Sequence, residues 1–169
     1  MVLAELAHRA GAKLSAHKSR AAVAETRMSP GSPRLVLAQP LSYMNTSGGP
    51  VSSLLKYYDL DVDNLVVIHD EIDLPLGAVK LKRGGGEGGH NGLRDITKAL
   101  GTKDYVRVRV GVGRPPGRMD TADYVLKRFS GSESKELPLL ISEAADAVEM
   151  LTEKGLIDTQ QYFHARLSS

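Results

Sequence analysis

The sequence predicts one α/β domain over residues 1–169, because segments with helical and strand periodicity alternate along the chain. Residues 65–68 form a short, continuously apolar run, which is typical of a strand buried on both faces in a mainly parallel sheet. No internal repeat, linker or low-complexity segment divides the sequence. Together these patterns predict helices packed on a single sheet.

Apolar side chains recur at helical spacing in four segments, which are predicted as amphipathic helices. They are residues 1–10, 50–58, 93–100 and 137–151. Gly11 and Gly155 follow two of these helices, as glycines commonly do after a last turn, and Pro50 suits a first turn. Asn91 precedes the third helix and is expected to cap its N-terminus.

The strands are predicted at five short segments, which are residues 21–28, 34–39, 65–68, 79–82 and 105–110. In the last two segments, basic residues alternate with apolar ones. We therefore expect each of these two strands to have one wet, basic face, formed by Lys80, Lys82, Arg107 and Arg109.

The charge is distributed unevenly, although the net charge is only +2. Residues 74–128 contain 12 Lys or Arg and 5 Asp or Glu, a local charge of +7, whereas residues 1–73 sum to −1 and residues 129–169 to −4. Clustered cations attract phosphate backbones, so the middle of the chain predicts a polyanion partner. An ordinary solvated surface is the alternative.

The composition also excludes several classes of protein. The chain has no cysteine, which excludes disulfides, thiolate zinc sites and cysteine nucleophiles and fits a reducing, cytosolic setting. No apolar run approaches the roughly 20 residues that span a bilayer. The first residues lack the basic leader and apolar core of a signal peptide, so we expect a soluble, unexported protein.

A glycine-rich run occupies residues 84–92. Gly84, Gly86 and Gly89 match the dinucleotide-binding spacing, with Asp104 placed as a ribose ligand. Many registers of such a run match by chance, and the preceding basic strand is unlike a buried nucleotide-binding strand. We favour a loop whose bare backbone lets a bulky ligand approach closely, and glycines needed only for turn geometry are the alternative.

Asp70, Glu71 and Asp73 follow the buried strand directly. Ligands of open α/β sheets bind outside the carboxyl ends of the strands, so this acidic cluster is a candidate site. Its carboxylates could hold Mg²⁺, orient a base or cap a turn. The five histidines show no recognised metal-ligand spacing.

Nucleophilic serine chemistry has little support, because the G-x-S-x-G turn is absent and Ser47 stands before a helix. Asn45 lies in the same loop between a strand and a helix. Its amide could donate to a developing oxyanion, although asparagine is also a common turn residue.

Four segments, in this order, resemble the bacterial-type peptidyl-tRNA hydrolase family: QPLSYMNTSG at 39–48, VVIHDEIDLPLG at 66–77, KLKRGGGEGGHNGLRDI at 80–96 and YVRVRVGVGRP at 105–115. The similarity runs from Met1 to at least Leu151. It implies a monomeric, cofactor-free, cytoplasmic esterase with a mixed, twisted central sheet flanked by helices on both faces. The substrate would be a peptidyl-tRNA that left the ribosome early, and cleavage of its peptide–ribose ester would recycle the tRNA.

The resemblance also implies roles for single residues. Asn45 would bind the peptide carbonyl or the attacking water, Asp70 would orient a catalytic histidine, and Asn91 would contact the ribose end. Ester hydrolysis needs such a carboxylate and such amide donors around a base. The substrate-binding residues would be Tyr43, Met44, Gly88 and His90, with Met44 in the pocket floor and His90 at the peptide and ribose end. Lys82 and Arg109 would hold the tRNA phosphates. No metal site is implied.

In the family the base belongs to an N-terminal segment, with a first strand, a G-x-G-N-P-G loop and an arginine-histidine-asparagine motif. The sequence opens inside the helix that follows, so we expect this segment to be missing, through a misassigned start codon or trimming. The 169-residue chain is then expected to hydrolyse its substrate feebly at best. His69 would point away from Asp70 if the strand continues, and His90 suits substrate contact better than base catalysis.

Two other classes are considered. A non-catalytic RNA-binding module, as in the chloroplast splicing factors that share this fold, would not need Asn45, Asp70 and Asn91. A metal phosphohydrolase built on the Asp70 cluster would lose its activity on chelation.

Overall fold

The computed structural model describes residues 2–41, 46–85, 91–113 and 136–167. The helices of these residues are α1 Val2–Arg9, α2 Gly48–Tyr57, α3 Asn91–Leu100, α4 Glu136–Lys154 and α5 Leu156–Leu167. The strands are β1 Ser15–His17, β2 Ala21–Thr26, β3 Leu35–Pro40, β4 Val66–Glu71, β5 Val79–Arg83 and β6 Val106–Gly111. A 3-10 turn spans Val62–Asn64. The predicted α/β class is confirmed.

Every predicted helix and strand is present, with bounds that differ by up to three residues. The largest differences are at the ends of β4, which continues to Glu71, and of α4, which continues to Lys154. The sequence pattern missed β1, which is only three residues long, and it placed a helix end at Gly155 without defining α5 after it. Gly155 divides these two helices with a φ of +86°, a conformation that glycine adopts without strain.

Contacts divide the chain into two compact units, and the prediction of one domain stays a prediction. The first unit is made mainly of Leu3–Val67 and Arg83–Val106. Its sheet has the order β1-β2-β3, with β2 antiparallel to both neighbours. Two groups of buried apolar side chains in the described part of this unit belong to its core. They are Ala21, Val23 and Leu54 in one group, and Leu93, Ile96 and Tyr105 in the other.

In this unit the N-terminal turn of α2 lies directly against α3. The Gly48 N–H donates a hydrogen bond to Asp95 Oδ2 over 2.7 Å. A Cβ at Gly48 would overlap the Asp95 carbonyl oxygen and stand 2.8 Å from Asp95 Oδ2, so only glycine fits at this contact. The contact joins the first residue of α2 to the fifth residue of α3.

The second unit is made mainly of Ile68–Lys82 and Arg107–Ser169. Most of the sheet β4-β6-β5 belongs to it. The Gly111 N–H donates to Ala78 O over 2.7 Å and the Gly84 N–H donates to Tyr105 O over 3.0 Å, so β5 runs antiparallel to β6. The Val112 N–H donates to Glu71 O over 3.0 Å. That bond joins the carboxyl ends of β4 and β6, which therefore run parallel, and the sheet is mixed as predicted.

Two predictions about burial are wrong. Val66, Val67 and Ile68 are only partly buried, and β4 is an outer strand among the strands that the structure describes. Arg107 was expected on a wet face, but it is 1 % exposed. It lies on β6, the strand between β4 and β5.

We expect Gly48→Ala to lower the free energy of unfolding by about 1–3 kcal/mol, because an added methyl group at a close contact forces the backbone to shift. Urea unfolding measures the change. Gly49→Ala is the matched control in the same helical turn, since its Cβ would meet only the flexible end of Arg20. Equal stabilities of the two variants would contradict the close approach of α2 and α3.

Candidate functional site

Asp70 lies near the carboxyl end of β4 and is partly buried. The sequence pattern placed Asp70 and Glu71 after the strand, but both belong to it, and Asp73 is exposed in the turn that follows. Consecutive side chains of a strand point to opposite faces of the sheet. The carboxylates of Asp70 and Glu71 therefore lie on different faces of β4.

His69 is the histidine next to Asp70 in the sequence, and it is 8 % exposed. Its Nδ1 lies 2.8 Å from the backbone oxygen of Asp70, within hydrogen-bond distance. Because β4 continues through both residues, the imidazole and the Asp70 carboxylate point to opposite faces. This placement agrees with the expectation that His69 does not act as a base with Asp70.

The register of β5 against β6 collects four cations on one face of the sheet. The hydrogen-bonded pairs Ala78/Gly111 and Gly84/Tyr105 place Lys80 opposite Arg109 and Lys82 opposite Arg107. Directly opposite residues of an antiparallel pair project from the same face. We call the resulting surface the cationic face, and it is formed by Lys80, Lys82, Arg107 and Arg109.

Glu71 brings one negative charge to the cationic face. Its Oε1 lies 3.9 Å from Arg109 Nη1, and the two side chains are 13 % and 18 % exposed. Burial lowers the pKa of Lys82 from its usual value of 10.5, and Arg109 and then Arg107 lower it further, while Glu71 raises it. The cations thus repel one another in a partly desolvated place, and a bound anion would relieve this repulsion.

Six of the predicted site residues cannot be placed in full. Tyr43, Met44, Asn45, Gly88 and His90 lie outside the described residues. Asn91 is the first residue of α3, but its side chain, including the predicted cap, is also outside the described part.

Among the predicted residues that are described, the structure brings Lys82 and Arg109 together on the cationic face. Glu71 contacts Arg109 of the cationic face. The neighbouring Asp70 projects from the opposite face of β4. Sequence analysis expected Lys80 and Arg107 to be basic strand residues but gave them no binding role. The i, i+2 spacing of Lys80 with Lys82 and of Arg107 with Arg109 indicated that each pair shares a strand face. The spacing could not show that the two pairs lie opposite each other across two strands.

Two alternative ligands find no support in this geometry. A dinucleotide fingerprint follows a parallel strand, whereas the glycine-rich run follows β5, an antiparallel outer strand. No group of three His, Cys, Asp or Glu residues that could hold a metal ion occurs in the described part of the chain. Likewise, no helix within residues 2–41, 46–85, 91–113 and 136–167 is long and apolar enough to cross a membrane.

An α/β fold with a carboxylate at a strand end and a separate face of four cations is typical of an enzyme that acts on a polyanion. A family model described as peptidyl-tRNA hydrolase matches residues 1–169. The chain belongs to the peptidyl-tRNA hydrolase family.

Individual relatives agree with this assignment. The chain is 65 % identical to a peptidyl-tRNA hydrolase of Pseudarthrobacter chlorophenolicus, over 97 % of this chain and 84 % of the relative. It is 64 % identical to that of Arthrobacter sp. strain FB24, with the same coverage. The crystal structure of the Acinetobacter baumannii peptidyl-tRNA hydrolase superposes with a TM-score of 0.84 at 30 % identity, over 97 % of this chain and 83 % of that one.

These comparisons also bear on two expectations from the sequence. The family model matches from residue 1, so it gives no support to the expectation that a segment with the catalytic histidine is missing. The similar proteins are named hydrolases, so a non-catalytic RNA-binding module is not supported either.

We expect Glu71→Gln to lower the pKa of Lys82 further, because Glu71 supplies an attraction that raises it. Carbon-detected NMR titration of the Lys82 side chain measures this pKa. Glu153→Gln removes an exposed carboxylate from α4 and serves as the control, which should leave Lys82 unchanged. A Lys82 pKa that rises or stays constant in Glu71→Gln would show that Glu71 does not face Lys82.

Proposed function

We propose that this protein hydrolyses the ester bond between peptide and tRNA in peptidyl-tRNAs released prematurely from ribosomes, and so recycles the tRNA. The cationic face is the observation that carries the proposal, because it supplies a phosphate-binding surface in a member of this hydrolase family. The substrate is a polyanion joined to a peptide by an ester, and its two parts need different kinds of contact.

Lys82 and Arg109 are proposed to hold tRNA phosphates. An ammonium and a guanidinium on one strand face can contact neighbouring phosphate oxygens, and each contact releases a counterion. Lys80 and Arg107 strengthen the positive potential at the same place. Burial and like charges lower the pKa of Lys82, which means that its ammonium group is poorly stabilised in the free protein. A bound phosphate therefore stabilises this ammonium more than it would stabilise an isolated, fully solvated lysine.

Asp70 is proposed to orient the base that takes a proton from the attacking water. A carboxylate that accepts a hydrogen bond from an imidazole N–H fixes the tautomer and stabilises the imidazolium as it forms. Its position at the carboxyl end of β4 supports this role, since ligands of α/β sheets bind beyond that end. His69 is unsuited as the partner because it faces the other side of β4.

Asn45 and Asn91 are proposed to donate hydrogen bonds to the peptide carbonyl as it gains negative charge. Asn45 stands three residues before Gly48, and Asn91 is the first residue of α3. The hydrogen bond from Gly48 to Asp95 holds the first turn of α2 against the second turn of α3, and this proximity of the two helices supports the proposal that both amides act on one substrate. We propose Tyr43, Met44, Gly88 and His90 as substrate contacts around them.

We further propose a cofactor-free monomer that works in the cytoplasm. The absence of cysteine agrees with a reducing compartment, and ester hydrolysis by a base and amide donors requires no metal. Analytical ultracentrifugation of the protein with and without tRNA tests the monomer. Unchanged turnover in EDTA is expected, and loss of turnover would favour the metal phosphohydrolase.

We expect Asp70→Asn to lower kcat by about 10²–10⁴-fold, the usual contribution of an oriented acid–base group, with little change in KM. Hydrolysis of a peptidyl-tRNA by the 169-residue chain is the measurement. Asp73→Asn changes an exposed carboxylate in the adjacent turn and is the matched control. Binding of peptidyl-tRNA without any hydrolysis by the unsubstituted chain would refute the proposed activity.

We expect Arg109→Gln and Lys82→Gln each to weaken tRNA binding and to flatten the slope of log K against log salt by about one unit, since each removes one phosphate contact. Fluorescence titration at several salt concentrations measures the slope. Lys98→Gln removes an exposed lysine on α3 and should leave the slope nearly unchanged. Equal slopes for all three variants would place the phosphate contacts elsewhere.

A further inference from the structure

Leu81 is the middle residue of β5, and its backbone polar groups point away from β6. In an antiparallel pair, alternate residues exchange hydrogen bonds with the partner strand. Ala78 and Gly84 both bond to the β6 side, so the even-numbered residues of β5 face that strand. The N–H and C=O of Leu81 therefore face the other edge of β5, where no strand of the described segments pairs with it.

Two side chains of α5 bind these two backbone groups. The Leu81 N–H donates to His164 Nε2 over 3.2 Å. Gln160 Nε2 donates to Leu81 O over 2.9 Å. Residues four apart on a helix stand one turn apart on the same face, so α5 presents both side chains to one residue of the strand. We call this pair of hydrogen bonds the Leu81 clasp.

We propose that Gln160 and His164 are positioning residues for RNA binding, because the Leu81 clasp fixes the strand that carries Lys82, which holds phosphate, and Lys80, which adds to the positive potential. This inference rests on the proposed function. Leu81 stands between the two lysines, so a displacement of its backbone moves both ammonium groups. Its side chain is fully buried, which fixes the strand against the core, while the clasp fixes the outer edge.

The chemistry of His164 suits this place. To accept a hydrogen bond from the Leu81 N–H, the imidazole must carry a lone pair on Nε2. Burial lowers the pKa of His164 from its ordinary value of 6.5, and Lys80 on β5 and Arg109 on β6 lower it further. The imidazole therefore stays neutral at physiological pH and closes the strand edge without adding a charge beside Lys80.

The clasp itself is tested by amide hydrogen exchange at Leu81, followed by NMR. Leu81 should exchange about three- to tenfold faster in His164→Ala, the change expected when one hydrogen bond is lost. The amide of Gly84, which bonds to Tyr105 O, is the internal reference and should be unchanged. Unchanged exchange at Leu81 would overturn the inference.

The positioning role is tested by tRNA affinity and by the division of the effect between KM and kcat. His164→Ala and Gln160→Ala should each weaken binding of an uncharged tRNA about three- to tenfold, and raise KM for peptidyl-tRNA with kcat nearly constant. His164→Gln should restore most of the affinity, because its amide oxygen can accept from the Leu81 N–H. Gln161→Ala, an exposed neighbour on α5, is the control and should bind like the unsubstituted protein.

The outcomes separate this inference from the proposed function. Faster exchange at Leu81 with unchanged tRNA affinity would make the clasp purely structural and overturn the positioning role. Binding of tRNA by the unsubstituted chain without hydrolysis of peptidyl-tRNA would refute the activity, while the affinities would still decide the role of the clasp. If His164→Ala unfolds, the tRNA affinities of Gln160→Ala and His164→Gln are compared instead. Gln160→Ala removes one hydrogen bond of the clasp, whereas His164→Gln is expected to keep both.

Discussion

The antiparallel register between β5 and β6 is the constraint on which the cationic face depends. A slip of one residue would turn the basic side chains of one strand to the other face of the sheet. Gly111 helps to fix this register, because a Cβ there would overlap Pro75 O and stand 3.0 Å from Leu74 Cβ. The turn after β4 and the end of β6 therefore meet in one arrangement, and with it the four cations share a face.

This arrangement reduces stability. Like charges directly opposite each other on a sheet are destabilising, and a domain of this size has only a small net stability. Glu71 offsets part of the repulsion through its contact with Arg109, and it raises the pKa of Lys82 against the combined effect of burial and the two arginines. A cluster that costs stability is understandable if a bound ligand supplies a further negative charge.

Periodicity alone predicted the positions of β5 and β6 and the basic residues on them, because alternation is a local property of a strand. It could not predict that Lys82 lies opposite Arg107, nor that Arg107 is buried. Strand pairing and the burial of a side chain both depend on tertiary contacts with distant parts of the chain. The sequence pattern placed Asp70 and Glu71 after the strand, but β4 extends through both, and this puts their carboxylates on opposite faces of the sheet. The catalytic roles came from the resemblance, not from the residue pattern.

His164 shows most clearly what sequence could not reveal, since it bonds to a backbone group 83 residues away. An unpaired strand edge can recruit other chains, and one way to close it is to cover it with a helix. A lysine or arginine at position 164 could not accept a hydrogen bond from the Leu81 N–H, and its positive charge would repel Lys80. Since the folded protein holds the pKa of His164 below 6.5, the unfolded chain binds the proton more readily. The stability that His164 contributes is therefore complete above about pH 6.5 and declines as the pH falls toward the pKa of the folded state. A neutral acceptor thus closes the edge of β5 beside Lys80 and Arg109 without adding to the repulsion between them.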